Sequence, residues 1–304
     1  MNKINLEEFD RFKRMSMDEI ETAPANFCKQ DYSYEQLKKI PVNHNDMINF
    51  IDNQNIIFYN IYYSPDEFFR KLSRLDRNVI LYSGHYDIEI DSRLASMLPE
   101  NVIMWYAQNV NIKHQRIAAV PIGIPNYSIC KDVKAKAWMV SLYKLKIILN
   151  YWNQKYNYEK DQLILSTINT GTNPRVRVPV VNICESLDYC VNTGYLYFHN
   201  FYDNILRSRS VVCPRGNGID THRTWEALCL RSIPILLDDT IAMNYFYEYP
   251  IVFLDDWDEL RDKRHIIKKI EEQEEKFKSF NMEKLTCWYW IEKMINSSKG
   301  DINE

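Results

Sequence analysis

The strongest constraint on the fold is an alternation of short apolar runs with helix-like segments in the second half of the chain. It begins with an apolar run at Asp161 to Asn169, and the later runs SVVCP, IPILL and IVFLDD each follow a helix-like segment. Strands that alternate with helices of about ten residues are typical of βαβ units, in which the strands are parallel. This pattern predicts an α/β fold with a parallel sheet.

The first half of the chain has apolar runs of the same kind. They are bounded by Pro, Gly, Asn or charged residues and cover Asn78 to Gly84, Asn101 to Asn109 and Ile117 to Ile124. Runs this short and apolar predict strands of a sheet that is covered on both faces. A long segment with helical spacing, Lys134 to Tyr151, follows them and is expected to bridge to the second half.

Chain length favours two such units in tandem, because domains commonly contain about 150 residues. We place the first in residues 1–155 and the second, with terminal helices, in residues 156–304.

Composition excludes several classes of partner. Lys and Arg number 38 against 41 Asp and Glu, so no general attraction to nucleic acid or an anionic membrane is expected. The seven cysteines form no CxxC pair, which argues against a disulfide framework and a zinc site. The first residues, MNKINLEEFDRFKR, are charged where a signal peptide is apolar, and no apolar run approaches a membrane span. We expect a soluble cytoplasmic protein without a transmembrane segment.

The segment from Ser208 to Leu237 carries the clearest chemistry. It predicts a strand, a Pro-Arg-Gly-Asn-Gly turn and a helix that starts near Asp220 or Thr221. The chain has only seven glycines, and Gly216 and Gly218 both lie in this turn, where positive φ would let the backbone approach a ligand closely.

Positive charge accompanies this turn. The N-terminus of a helix presents unpaired N–H groups that suit a phosphate, and Arg215 and Arg223 flank it. Glu226 follows Arg223 by three positions and His222 by four, so its carboxylate could accept hydrogen bonds from ribose hydroxyls. The alternative is an ordinary surface pair of Arg223 and Glu226. Neither a Walker loop nor the GxGxxG of dehydrogenases is present.

The same segment supports a family resemblance. It closely resembles the signature of exostosin-like glycosyltransferases in CPRGNGIDTHRTWEALCLRSIPILL. Further matches occur in family order at Trp105 to Asn126, at Thr172 to Arg177 and in FYDNILRSRSVVCP. Together they cover roughly half of the chain.

The resemblance implies the GT-B architecture, in which two Rossmann-like parallel-sheet domains face a cleft. The acceptor side would be the N-terminal domain and the nucleotide-sugar donor side the C-terminal domain. Such enzymes transfer a sugar from a nucleoside diphosphate sugar, here a UDP-sugar by preference, to a hydroxyl of a glycan or glycoconjugate. The resemblance implies that the transfer inverts the configuration of the sugar and that it requires neither a metal nor another cofactor.

The resemblance also assigns donor-binding residues by position. The diphosphate loop and the following helix start contain the largest set: Arg215, Gly216, Asn217, Gly218, Asp220, Thr221, His222 and Arg223. Glu226 matches the ribose-binding acid, and Arg177 of the N-P-x-x-R pattern, with Asn173, is a second candidate phosphate ligand.

Glycosyl transfer also needs a base that deprotonates the acceptor hydroxyl. The end of the strand in SGHYD offers Asp87 as the first candidate and His85 as the second. Both residues are equally well explained as turn residues that cap the strand. Gln108, Asn109 and His114 follow the next strand and resemble the acceptor-side lining of the cleft, although a lone histidine is more often a satisfied polar group.

Other interpretations compete with a metal-independent transferase. The triplet Asp256-Trp257-Asp258 resembles a manganese-binding DxD motif, but its position favours helix capping. Cys213 and His222 could act as nucleophile and base, although no third group that would orient them is indicated. A phosphotransferase predicts a lysine beside the glycine turn, and Ser208 to Leu237 contains none. The main alternative is a non-catalytic nucleotide-sugar or glycan-binding module of the same fold.

Overall fold

A computed structural model describes residues 41–42, 47, 56–59, 65–84, 86–125, 147–149, 151–152, 159–194, 196, 198–239 and 246–298. These residues form an α/β structure with two sheets, and every pairing between the strands of either sheet is parallel. The predicted α/β class and parallel strands are therefore confirmed. Most of the predicted helix between Lys134 and Tyr151 lies outside the described residues, although residues 147–149 and 151 are helical.

The first sheet contains four strands in chain order. These are β1 (Ile56–Tyr59), β2 (Val79–Ser83), β3 (Val102–Ala107) and β4 (Ile117–Ala119). Between them lie helices α1 (Pro65–Leu72) and α2 (Ser92–Ser96). All residues of β2 are buried, as a run of apolar residues without polar alternation predicts for a strand covered on both faces. Trp105 and Tyr106 of β3 are also buried, so their bulk contributes to the core.

The second sheet has five strands in the spatial order β6-β5-β7-β8-β9. The strands are β5 (Gln162–Ser166), β6 (Cys190–Asn192), β7 (Ser208–Val212), β8 (Ile233–Leu237) and β9 (Val252–Leu254). The described residues between these strands include the helices α3 (Pro174–Glu185), α4 (Phe198–Arg207) and α5 (His222–Cys229), which precede β6, β7 and β8 in turn. Because the chain passes from β5 to β6 and then returns to the other side of β5, strand order reverses between β5 and β7. Ligands of open α/β sheets bind at such a switch point, outside the carboxyl ends of the strands.

Successive residues of a strand point to opposite faces of the sheet. In the second sheet both sets include buried apolar residues, and helices cover both faces. Leu165 and Val211 belong to the core cluster that contains α4 and α5. Their neighbours Ile164 and Val212 belong to the cluster of α3 and a later helix. The larger cluster continues into the first sheet, where it includes Trp105. A continuous apolar core therefore joins the two sheets.

After β9 the chain forms a 3₁₀ helix (Trp257–Arg261), α6 (Lys263–Ser279), a second 3₁₀ helix (Met282–Leu285) and α7 (Cys287–Ser298). Helix α7 packs on β1, β2 and β3. The hydroxyls of Tyr106 in β3 and Ser297 in α7 are 2.6 Å apart. The last described helix therefore follows the second sheet in sequence but packs on the first. None of the helices in the described ranges is both long and apolar enough to cross a membrane.

Candidate functional site at the switch point of the second sheet

The loop of residues 213–221 joins β7 to α5 at the carboxyl edge of the second sheet. It starts where the backbone of Cys213 still pairs with β8, through a 2.9 Å hydrogen bond to the carbonyl of Ile235. It ends at Thr221, whose extended backbone precedes the first helical residue, His222. The predicted order of strand, loop and helix is confirmed. We call residues 213–221 the switch loop.

Two side chains from the start of α3 hold the backbone of the switch loop. Arg177 donates through Nε to the carbonyl of Arg215 at 3.1 Å and through Nη1 to the carbonyl of Asn169 at 3.0 Å. Asn173 donates through Nδ2 to the carbonyl of Gly216 at 2.8 Å. Arg177 is only 7% exposed, and burial together with the neighbouring Arg223 lowers its pKa. The Asn-Pro-x-x-Arg pattern thus positions the loop, and Arg177 adds buried positive charge behind it.

The two glycines of the switch loop serve a purpose that differs from the predicted one. Positive φ occurs among the described glycines at Gly123 and Gly194, so the prediction of positive φ at Gly216 and Gly218 is wrong. A Cβ atom on Gly216 would lie 3.1 Å from Nη2 of Arg177. These glycines leave room for protein side chains that pack against the loop.

Several buried polar atoms near this edge of the sheet make no hydrogen bond within the described residues. Arg223 donates through Nη2 to the carbonyl of Thr167 at 2.6 Å, while its Nε is buried and makes no hydrogen bond within the described residues. The hydroxyl of Thr167, in a residue that is 4% exposed, is likewise buried and unbonded. The same holds for the hydroxyl of Thr193 and for Nε of Arg215. Buried polar groups are nearly always hydrogen-bonded in proteins, so this cluster is suited to a polar ligand.

These unbonded atoms lie where the strand order reverses. Thr167 directly follows β5 and Thr193 directly follows β6, while Arg215 belongs to the loop after β7. The side chain of Arg223 reaches back from the first turn of α5 to the end of β5. The site thus combines guanidinium and hydroxyl donors at the position where doubly wound sheets bind ligands.

The switch loop also contacts the first sheet. Asn109 adopts a left-handed backbone conformation after β3, with φ of 51°. Its Oδ1 accepts a hydrogen bond from the backbone N–H of Asp220 at 3.0 Å, and its Nδ2 donates to the carbonyl of Tyr86 at 2.8 Å. A Cβ atom on Gly218 would lie only 2.9 Å from Oδ1 of Asn109. Asn109, predicted on the acceptor side, therefore interlocks the two halves of the chain.

Asp220 and His222 contribute to the same junction. The Asp220 carboxylate accepts hydrogen bonds from the backbone N–H of Ile122 at 2.7 Å and from Nε1 of Trp225 at 2.8 Å. Burial raises the pKa of Asp220 to about 7, although these hydrogen bonds act in the opposite direction. Nδ1 of His222 lies 2.7 Å from the carbonyl of Gly123. Asp220 and His222 thus hold the loop against the first half, and a role for them in donor binding stays a prediction.

Glu226 is buried on the inner face of α5. It is 3% exposed, and its Oε1 accepts a hydrogen bond from the hydroxyl of Tyr202 at 2.9 Å. Burial, followed by the negative charge of Glu226, raises the pKa of Tyr202 well above its ordinary value. The alternative prediction of a surface pair between Arg223 and Glu226 is wrong, because Glu226 is buried and Arg223 is hydrogen-bonded to the carbonyl of Thr167. A contact of Glu226 with ribose stays a prediction.

Of the two candidate bases, Asp87 is exposed and His85 lies outside the described residues. Asp87 lies between Tyr86, which contacts Asn109, and Glu89, which contacts the switch loop directly. The carbonyl of Tyr86 binds Asn109, and the carboxylate of Glu89 pairs with Arg215. The structure thus places Asp87 beside the junction of the two halves, and its role as the base stays a prediction.

The remaining predicted residues differ in their distance from this junction. Gln108 is buried directly after β3, where its backbone N–H donates to the carbonyl of Ser83 at 3.3 Å. Asn217 is exposed on the switch loop. His114 lies in the turn before β4, where its Nδ1 accepts the backbone N–H of Arg116 at 3.1 Å. Because that turn precedes β4, His114 lies at the amino end of the strand and is not brought to the carboxyl edge.

The alternative chemistries receive little structural support. Asp256 caps a 3₁₀ helix, with Oδ1 accepting from the backbone N–H of Asp258 at 2.7 Å, so the predicted capping role is confirmed. In the described part of the chain, no group of three or more His, Cys, Asp or Glu residues is placed to hold a metal ion. Burial raises the pKa of Cys213 to about 12, which makes its thiol a poor nucleophile.

Three residues of this region were not predicted from the sequence. Thr167 and Thr193 each follow a strand, and the position of Thr167 at the end of the run Asp161 to Asn169 is the signal that could have identified it. Glu89 lies in a loop without a recognisable motif, so its pairing with Arg215 had no signal in the sequence.

The switch point combines a loop held by Arg177, two further arginines and unbonded hydroxyls, and these donors are chemically suited to an anion. Comparison with known proteins adds no assignment to it, since no protein-family model matches the chain and no curated protein matches its sequence.

Proposed function

We propose that this protein is a glycosyltransferase of the exostosin-like type, which transfers a sugar from a nucleoside diphosphate sugar to a hydroxyl of a glycan or glycoconjugate. The observation that carries the proposal is the cluster of unbonded, buried donors at the switch point. These are Nε of Arg223, Nε of Arg215 and the hydroxyl of Thr167. A diphosphate offers several acceptor oxygens, which would satisfy all of these groups at once.

The charge distribution supports the same ligand. Among the ion pairs of the described residues, neither Arg177 nor Arg223 has a carboxylate partner. Burial, followed by the positive charge of Arg223, lowers the pKa of Arg177. Like charges in a partly buried place cost free energy, and an anion bound between them would offset that cost.

The proposed mechanism assigns separate tasks to the two halves of the chain. Negative charge develops on the diphosphate as the glycosidic bond breaks, and Arg215 and Arg223 would stabilise it. Asp87 would accept the proton of the acceptor hydroxyl, which then attacks the anomeric carbon from the opposite face and inverts its configuration. In this proposal arginine side chains hold the leaving group, and no cofactor takes part.

The architecture that we propose is GT-B, with the acceptor side in residues 1–155 and the donor side in residues 156–304. The exposed position of Asp87, two residues before Glu89, which pairs with Arg215 of the other half, supports a cleft at this junction. The preference for a UDP-sugar and a cytoplasmic location belong to the proposal as well.

A binding and transfer experiment tests the proposal. Thermal stabilisation is measured across UDP, GDP and CMP sugars, since a ligand that binds only the native state raises the unfolding midpoint. We expect a UDP-sugar to stabilise the wild type and Arg223→Ala to abolish the effect. Arg207→Ala is the matched control, because Arg207 forms an exposed pair with Asp161 at the other end of the sheet.

Sugar release from the stabilising donor, with and without a glycan acceptor, then separates an enzyme from a binding module. Stabilisation without transfer or hydrolysis would favour the non-catalytic module. Stabilisation by no nucleotide sugar would contradict both functions.

A further inference from the structure

We propose that Glu89 is the resident counter-ion of Arg215 and that the diphosphate of the donor displaces it. Glu89, which lies in the opposite half of the chain, would thereby lower the affinity for the donor. This inference rests on the proposed function, because it concerns how an anionic donor enters the same site.

The ion pair itself is the first observation. Nη2 of Arg215 binds Oε1 of Glu89, and the other carboxylate oxygen accepts a hydrogen bond from Nδ2 of Asn111 at 3.1 Å. The side chains of Arg215 and Glu89 are 24% and 35% exposed. Glu89 is therefore held in place on the first half, while the pair remains accessible to a competing anion from solution.

The second observation is that the backbone and the side chain of Arg215 are restrained by different groups. Its carbonyl is bound by Arg177 and the next carbonyl along the loop by Asn173. Within the described residues its side chain pairs with Glu89, and its Nε is buried without a hydrogen bond. The guanidinium can therefore exchange one anion for another while the loop keeps its shape.

Energetics favour such an exchange. An ion pair that is partly exposed to solvent contributes little free energy, because water screens both charges. A diphosphate carries more negative charge than one carboxylate and can accept two parallel hydrogen bonds from a guanidinium, including one from Nε. Asp239, which follows β8, interacts electrostatically with both Arg215 and Glu89, so a second carboxyl group lies near this arginine. Removing the charge of Glu89 should therefore make donor binding stronger.

The test measures the dissociation constants of inorganic pyrophosphate and UDP for the full chain by isothermal titration calorimetry. The variants are Glu89→Gln, Arg215→Ala and the double variant. Glu100→Gln is the matched control, because Glu100 is an exposed acid of the same half that precedes β3 at its amino end. We expect Glu89→Gln to bind both probes about two- to fivefold more tightly. We expect Glu100→Gln to match the wild type and Glu89→Gln to have no effect in the Arg215→Ala background.

Three results would overturn the inference. Weaker binding by Glu89→Gln would mean that Glu89 positions Arg215 for the ligand. Unchanged binding would mean that the pair does not compete with the ligand. If Glu89→Gln still strengthened binding in the Arg215→Ala background, the effect would come from long-range repulsion between Glu89 and the ligand, and the ion pair would not cause it.

A further comparison separates this inference from the proposed function. Probe binding that depends on Arg223 but ignores Glu89 would overturn the inference alone. A wild type that binds neither pyrophosphate nor UDP would overturn both.

Discussion

The side chain of Asn109, at the end of the first sheet, accepts a hydrogen bond from the backbone N–H of Asp220 in the switch loop at 3.0 Å. This contact joins residues that are 111 positions apart in the chain. Gly218 makes it possible, because any larger residue there would place its Cβ against the Asn109 amide. The loop that is proposed to bind the donor is therefore built partly by the other half of the molecule.

Gly218→Ala should destabilise the protein by about 1–3 kcal/mol, the usual cost of inserting a methyl group into a packed place. Asn109→Gly should also destabilise it, since the buried N–H of Asp220 loses its acceptor. Glycine tolerates the positive φ of residue 109. Because Asn109→Gly also removes the clash, the double variant should lose less than the sum of the two single changes. Chemical unfolding of all four proteins checks this, and strict additivity would contradict it.

Asp220 should make stability depend on pH. Its pKa rises from 3.8 to about 7 on folding, so the folded state binds more protons than the unfolded state between those values. The contribution of Asp220 to the free energy of unfolding is therefore present at low pH and is lost as the pH rises through about 7. Urea unfolding of the wild type and Asp220→Asn between about pH 4.5 and 8 measures it. The wild type should lose stability relative to the variant as pH rises, and a constant difference would contradict the prediction.

Thr167→Val should separate ligand binding from stability. The Thr167 hydroxyl is buried and unbonded, so its replacement by an isosteric methyl should leave stability unchanged or slightly higher. Binding of the nucleotide sugar should become weaker, since valine has no hydroxyl that could bind the diphosphate. Thr286→Val is the matched control because the equally buried Thr286 donates to the carbonyl of Glu283 at 2.7 Å, and it should cost about 0.5–1.5 kcal/mol. Thermal unfolding with and without UDP reports both effects, and a stability loss in Thr167→Val equal to that of the control would refute the assignment.

Asp87→Asn should lower the rate of sugar transfer by about 10²–10⁴-fold, the usual contribution of a general base. Donor affinity should stay within about twofold, because Asp87 acts on the acceptor in the proposed mechanism. Asp76→Asn provides the control, since Asp76 is exposed before β2, at the opposite end of that strand. Transfer rates at saturating donor test this. If Asp87→Asn keeps full activity and His85→Gln does not, the second candidate is the base.

Local structure around the site could be predicted because short-range forces decide it. The run from Ser208 to Leu237 contains a strand buried on both faces, a turn and a helix with an apolar inner face, and each appears where the pattern predicts it. The same holds for Asp256, whose side chain caps the next turn of backbone. The capping partner of Asp256 lies two residues away, and the strand and the helix are each recognised from the spacing of their own apolar residues.

The partners of the site residues could not be predicted in this way. The phosphate contact expected for Arg215 stays a prediction, whereas its pairing with Glu89, 126 positions away, could not be predicted. Gly216 was expected to take positive φ, yet its lack of a side chain makes room for Arg177. Glu226 was expected either at a ribose, which stays a prediction, or in a surface pair, which is wrong because the residue is buried beside Tyr202. Each outcome depends on which side chain another element brings to that place.

By itself, the sequence determined the α/β class, the order of strand, loop, helix and strand from Ser208 to Leu237, and the loop that carries the candidate site. Those features follow from the spacing of apolar residues and from backbone propensities, which act over one or two turns. Only the tertiary structure decided that strand order reverses between β5 and β7, that Asn109 and Glu89 reach the switch loop, and that Thr167 and Arg223 keep unbonded donors there. The physical reason is that burial and charge pairing depend on distances in space, which packing of the whole chain establishes.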